Sequence, residues 1–162
     1  MGCGKKVVDA LLFFFFLTFV LTTPILDADY ILPKELIPKF VVDVKNFYIN
    51  LVGDYLVVEK PHFFVGLTWF DILIVWPLSI LNIYAILAGK SWFSTTSLIQ
   101  GVGVFTSIIP ILADIYLSGK GSVKMQLAYY PFLAFSILAI LRGLLPCFGG
   151  TSAIATAIKK RV

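Results

Sequence analysis

The chain has 162 residues, of which 59% are hydrophobic and only 14% charged, with a net charge of +4 and a mean hydropathy of +0.96. Soluble domains carry about a quarter charged residues, so a water-soluble globule of this size has nowhere to hide its apolar surface, and the solvent must be lipid. The basic residues form no dense stripe, which argues against nucleic acid binding. Cys3, Cys147 and the single His62 lie too far apart in sequence for a metal-ligand motif, so no cofactor is expected.

Four apolar runs reach the roughly 20 residues that a membrane helix needs: 7–26, 63–87, 96–117 and 127–145. None shows the alternation of barrel strands, so each is read as a helix with its backbone satisfied internally. The expected architecture is an all-α, four-transmembrane-helix bundle forming a single membrane domain, with a helical first loop and a basic tail over 146–162. The first run also has the makings of a cleavable leader, with Lys5 and Lys6, an apolar core and small residues near Ala28. Its length exceeds an ordinary leader core, and it is read as a span. The start MGCGKK places Lys6 where a myristoylation motif wants Ser or Thr.

Each span carries one proline: Pro24, Pro77, Pro110 and Pro131. Proline is commoner in membrane helices than in soluble ones; kinks at these positions would also splay the bundle and leave a cavity. Between the first two spans, Phe40, Val44, Phe47, Tyr48, Leu51 and Tyr55 recur at helical spacing among Asp43, Lys45, Asn46, Asn50 and Asp54. This pattern predicts an amphipathic helix, either lying at the interface or folded as a lid over the bundle mouth.

Four spans put both termini on one side. That side carries Lys5, Lys6, Lys90, Arg142, Lys159, Lys160 and Arg161 against six lysines on the other, a slight bias toward cytosolic termini. The ending KKRV, with Lys159 and Lys160, reads as a dilysine signal for retrieval to the endoplasmic reticulum.

Three acids fall within or at the ends of spans on the far side: Asp27, Asp71 and Asp114. An ionised aspartate near the middle of a span costs about 2.5 to 3.5 kcal/mol on insertion scales. Asp71 lies roughly 13 Å into its helix at 1.5 Å per residue, whereas Asp27 ends the first span, so they meet only across a pocket. If they meet, one carboxyl holds a proton and the pair keeps one negative charge. Such a site in an aromatic cavity suits an organic cation. Otherwise Asp71 makes a polar contact with Asn82, Thr106 or Ser107, and Asp114 is simply solvated. His62 is expected to be structural, and no hydrolase or phosphate-binding motif is present.

The segments LDADYILPKEL, GDYLVVEKPHFFVGLTWFDILIVWPL, TSIIPIL and AYYPF, in that order and spacing, resemble the EXPERA family of four-span membrane proteins, which includes the emopamil-binding sterol isomerases. The resemblance implies that Asp27 and Asp71 occupy the positions of a hydrogen-bonded acid pair beneath a ligand amine. It likewise assigns Tyr48, Ser107, Tyr129 and Phe132 to the ligand pocket. Phe132 stands where the ligand-binding branch has a tyrosine, Val75 where it has a glutamine, and Asp71 where it has the longer glutamate. In the isomerases a histidine precedes the second-span acid by one turn; here that position is Leu67, so catalysis is not expected. The resemblance also implies an endoplasmic reticulum location and a homodimer.

Three readings follow. The first is a non-enzymatic protein that binds sterols and amphiphilic amines among membrane lipids and acts in sterol homeostasis or with sterol-trafficking membrane proteins. The second is a sterol isomerase, and the third a small proton-coupled transporter or scaffold.

Overall fold

The computed structural model describes residues 3–145, so the basic tail with Lys159 and Lys160, together with Cys147, lies outside the described residues. The described part is helical. Four stretches are long and apolar enough to cross a membrane: Gly4–Leu26, His62–Leu87, Phe93–Leu117 and Val123–Leu144. The first belongs to helix α1 (Cys3–Leu26). The short helix α2 (Ala28–Ile31) follows, then a 3₁₀ turn at Lys34–Leu36, α3 (Lys39–Val52) and α4 (Tyr55–Glu59). The second span comprises α5 (His62–Phe70), a π-helical turn (Asp71–Val75) and α6 (Trp76–Leu87). α7 (Phe93–Leu117) and α8 (Val123–Leu144) form the third and fourth.

Local chemistry sets the joints. α3 ends at Gly53, whose φ of 72° provides the left-handed cap that residues with a side chain adopt reluctantly. Asp54 then caps α4 by accepting from the Leu56 amide at 3.1 Å. Ser122 caps α8 in the same way through the Met125 amide, so this helix begins before the apolar run does. In the second span Pro77 has no amide to donate. The backbone widens just ahead of it, and the Trp76 amide reaches back five residues to the Asp71 carbonyl. Such a turn is how a helix absorbs a residue that breaks its ladder.

α7 and α8 approach most closely along a seam of small residues. A Cβ on Gly101 would lie 2.9 Å from both the Ile140 nitrogen and the Ser136 oxygen, and one on Gly143 2.7 Å from the Ser94 oxygen. Ser97 adds a hydrogen bond to the Ala139 carbonyl at 3.2 Å. Lipid tails are as apolar as leucine, so close packing of this kind supplies much of the association energy. Gly101→Leu should therefore separate the two helices and destabilise the bundle by about 2 kcal/mol or more, measured as an earlier midpoint in denaturing-detergent titrations.

The seam between α6 and α7 is polar and fully bonded. Asn82 donates to Gln100 at 2.8 Å, Gln100 to Ser79 at 2.6 Å, and Thr96 to Asn82 at 2.5 Å. Asn82 is thus committed to α7 rather than to Asp71. At the end of the bundle that carries the termini, Arg142 is buried in the last turn of α8 rather than facing a loop. Its Nε donates to Asp9 at 2.6 Å and its Nη1 to Ser94 at 3.0 Å, while the guanidinium lies 4.9 Å from the Phe93 ring centre. This pair ties α1, α7 and α8 together.

α3 packs across α1 and α8 at the opposite end. Its amphipathic stripe does not face the bundle. Phe40, Val44, Phe47 and Leu51 are exposed at 63, 44, 67 and 55%, whereas Val41, Lys45, Tyr48 and Val52 turn inward. In lipid the outward face is the apolar one, so the stripe suits a helix bathed in the interface while its other side roofs the bundle.

Candidate functional site

Under α3 lies a cavity of about 120 Å³ walled by all four spans. Its rings come from Phe19, Tyr48, Phe64, Tyr129 and Phe132, and its carboxylates are Asp27 and Asp71. Every ligand-pocket position expected from the sequence therefore borders one space: Asp27, Asp71, Tyr48, Ser107, Tyr129 and Phe132. Asp27 arrives there because α1 ends at Leu26 and the chain bends into α2, with the Asp27 amide held by the Thr23 carbonyl at 3.0 Å. Asp71 arrives there from the π-helical turn.

The two carboxylates make no hydrogen bond to each other, and among the described residues neither side chain has a hydrogen-bond partner. Burial pushes the Asp27 carboxyl up to about 7, against the pull of the Lys45 ammonium and, more weakly, Lys60. Asp27 thus changes charge near neutrality instead of staying ionised like a surface aspartate.

The aromatic wall is held by an acid that the sequence reading placed among the polar residues of the amphipathic loop. Asp54 has no exposed surface. One of its oxygens accepts from the Tyr48 hydroxyl at 2.9 Å and from the Tyr129 hydroxyl at 2.8 Å, while the other caps α4. Burial and the facing Asp54 charge raise the Tyr48 phenol far above its usual range, so it remains a neutral donor. Phe132 is fixed differently, edge-on to Phe19 with ring centres 5.4 Å apart. The methyl of Val75 is fully buried in the core, and Leu67 adds an alkyl group to the cavity lining. The only sequence signal for Asp54 is its place between Gly53 and an apolar turn, the pattern of a helix cap.

Two other acids have protein partners. Asp114, expected to be simply solvated, is half-buried and accepts a short hydrogen bond from Tyr55, whose hydroxyl also bonds Ser118 at 2.9 Å. Asp29, beside the site, accepts from Lys45 at 2.5 Å and from Lys60. Burial acts to raise its carboxyl, but the two ammonium groups override it and hold Asp29 below the usual carboxylate range. His62 is exposed at the start of α5 and does not border the cavity.

The site therefore offers two unpartnered carboxylates, the hydroxyls of Thr22, Thr23, Thr68 and Ser107 and a ring-lined body, walled by the four spans. Comparison with known proteins agrees with this architecture. Residues 40–147 match the EXPERA family, the expanded EBP superfamily. Sigma intracellular receptor 2 of Xenopus tropicalis is 22% identical over 154 residues, covering 87% of this chain and 90% of that protein. The proteins of the same name from Homo sapiens and Macaca fascicularis are each 29% identical over 110 residues, which cover 67% of this chain and 62% of theirs. With four membrane-spanning helices in place and most of its length matched, this chain belongs to the EXPERA family.

Proposed function

We propose that this protein is a receptor of the endoplasmic reticulum membrane that binds amphiphilic amines and sterols and acts in sterol homeostasis or trafficking without converting its ligand. The reading rests on one observation above all: Asp27 and Asp71 share a ring-lined cavity and lack any protein hydrogen-bond partner among the described residues. Unpaired carboxylates in such a place are expensive unless a ligand or a shared proton compensates them. A ligand ammonium bridging both would provide that compensation, with its apolar body against Phe19, Phe64 and Phe132. Its relatives' designation as receptors supports the same class.

The cavity volume sets the scale of what enters without rearrangement. A dry cavity of about 150 Å³ accommodates a single benzene, so the present space of about 120 Å³ holds at most a small amine head, and a ring needs the lining side chains to move. A sterol skeleton would extend between the helices or displace lining rings. The side bearing α3 is assigned to the lumen and both termini to the cytosol, with the tail supplying the retrieval signal. A homodimer is included in the proposal on the family resemblance.

Saturation binding of a radiolabelled amphiphilic amine to membranes, with a sterol competitor, tests this reading. Saturable binding that sterol competes for supports a single shared cavity. Conversion of a sterol by the purified protein would move the assignment to the isomerase reading, and proton-driven flux in liposomes to the transporter reading. The Asp27 carboxyl adds a pH signature. Its deprotonated form attracts the ammonium, so amine affinity should rise as pH increases toward about 7 and level off above it, falling about tenfold for each unit below. Competition curves between pH 5 and 8.5, with an amine that stays protonated throughout, measure this slope.

A further inference from the structure

A second cavity, of about 350 Å³, lies outside the first, between the end of α1, the 3₁₀ turn and the inner edge of α3. Ile25, Ile37, Val41 and Val42 give it apolar walls, and Asp29 and Lys45 stand at its polar end. None of these residues borders the Asp27–Asp71 cavity.

The polar end gathers two ammonium groups around one carboxylate. Lys45 and Lys60 both bind Asp29, and their ammonium groups lie 5.9 and 4.3 Å from the Tyr30 ring centre. Two ammonium groups thus share Asp29, with the Asp27 carboxyl facing them from the acid-lined cavity, and all three groups of the cluster are partly buried, with side-chain exposures of 15% for Lys45, 35% for Lys60 and 21% for Asp29. Lys45 uses two of its three N–H donors, on the Leu26 carbonyl at 2.7 Å and on Asp29, and keeps one. The outward stripe of α3, Phe40, Val44, Phe47 and Leu51, is apolar and exposed, so the cavity's roof lies at the level of the lipid rather than in water.

We infer that this cavity binds a single-chain membrane amphiphile with an anionic head, the chain lying along Ile25, Ile37, Val41 and Val42 and the head accepting from Lys45. The chain packs against those aliphatic side chains, and the head gives the free Lys45 donor a charge-assisted acceptor. An amphiphilic amine is the wrong sign for this position, which separates the site from the acid-lined cavity. A carboxylate head and a phosphate monoester head share the required chemistry, a fatty acid and a lysophosphatidate being the respective sources.

The test is photolabelling of the full-length protein in neutral detergent with a diazirine-bearing palmitate, with unlabelled palmitate and unlabelled lysophosphatidate as competitors. Peptide mapping should place the label within residues 37–46, and Lys45→Gln should reduce that label about tenfold, the loss of one charge-assisted hydrogen bond. Val42→Trp, which fills the cavity and lies outside the acid-lined one, should abolish the label yet leave amine binding intact. The stronger of the two competitors identifies the head. A saturating amphiphilic amine should leave the label unchanged; displacement by the amine would mean one shared site and overturn the inference, whatever becomes of the proposed amine receptor. Label scattered along the spans, or retained in Val42→Trp, overturns the cavity. Label lost in Val42→Trp but retained in Lys45→Gln overturns the anionic head.

Discussion

Asp71→Asn should lower amphiphilic-amine affinity by about a hundredfold and at the same time raise the stability of the unliganded protein. The first effect follows from removing one carboxylate from a desolvated ammonium, a change worth roughly 2 to 5 kcal/mol. The second follows from Asp71 having no hydrogen-bond partner among the described residues while it faces a cavity inside a membrane span. The amide spares the protein an unpaired charge there, so the acid is retained at the expense of stability, as functional groups often are. A merely structural contact predicts the opposite sign, since its loss would destabilise. Binding isotherms and denaturing-detergent titrations on the same preparations measure both. Asp71→Glu should keep affinity, because it preserves the carboxylate charge at the cavity.

Asp54→Ala should be the more damaging substitution to the fold around the site, at roughly 3 kcal/mol or more. It strands the Tyr48 and Tyr129 hydroxyls, each costing about 1 to 3 kcal/mol when buried and unpaired. It also removes the cap of α4, worth about 0.5 to 2 kcal/mol. Both tyrosines line the cavity, so amine affinity should fall although Asp54 itself does not border it. Asp54→Asn keeps an acceptor oxygen and should recover part of the loss. Tyr48→Phe with Tyr129→Phe in the Asp54→Ala background should recover another part, because phenylalanine leaves nothing unpaired. A double-mutant comparison of stability and affinity separates the scaffold effect from direct contact.

In the proposed receptor the two acids are expected to act on different quantities, Asp71 on how tightly a cation is held and Asp27, with its carboxyl pushed up to about 7, on the pH at which it is held. Lys45 links the acid-lined cavity to its neighbour. It pulls the Asp27 carboxyl downward by its charge and binds Asp29 directly.

The spans were legible in the sequence because lipid imposes a single solution on a long apolar run: a helix with every backbone group bonded internally. Asp71 stood out for the related reason that an acid inside such a run is costly, and the cavity lining places Asp27 beside the same space. The tertiary structure decided what a one-dimensional pattern does not contain. Periodicity in α3 separated an apolar from a mixed face, but not which of them meets the bundle; here the apolar stripe points outward and Lys45 and Tyr48 point in. Asp54 read as one more polar loop residue, and its burial arises only when α3 and α8 bring Tyr48 and Tyr129 to it from six residues upstream and 75 downstream. Arg142 read as a rim charge, and its partner Asp9 lies 133 positions away. Local patterns report the solvent a segment faces, whereas the pairing of buried polar groups depends on which distant segments become neighbours, and that is settled only when the helices pack.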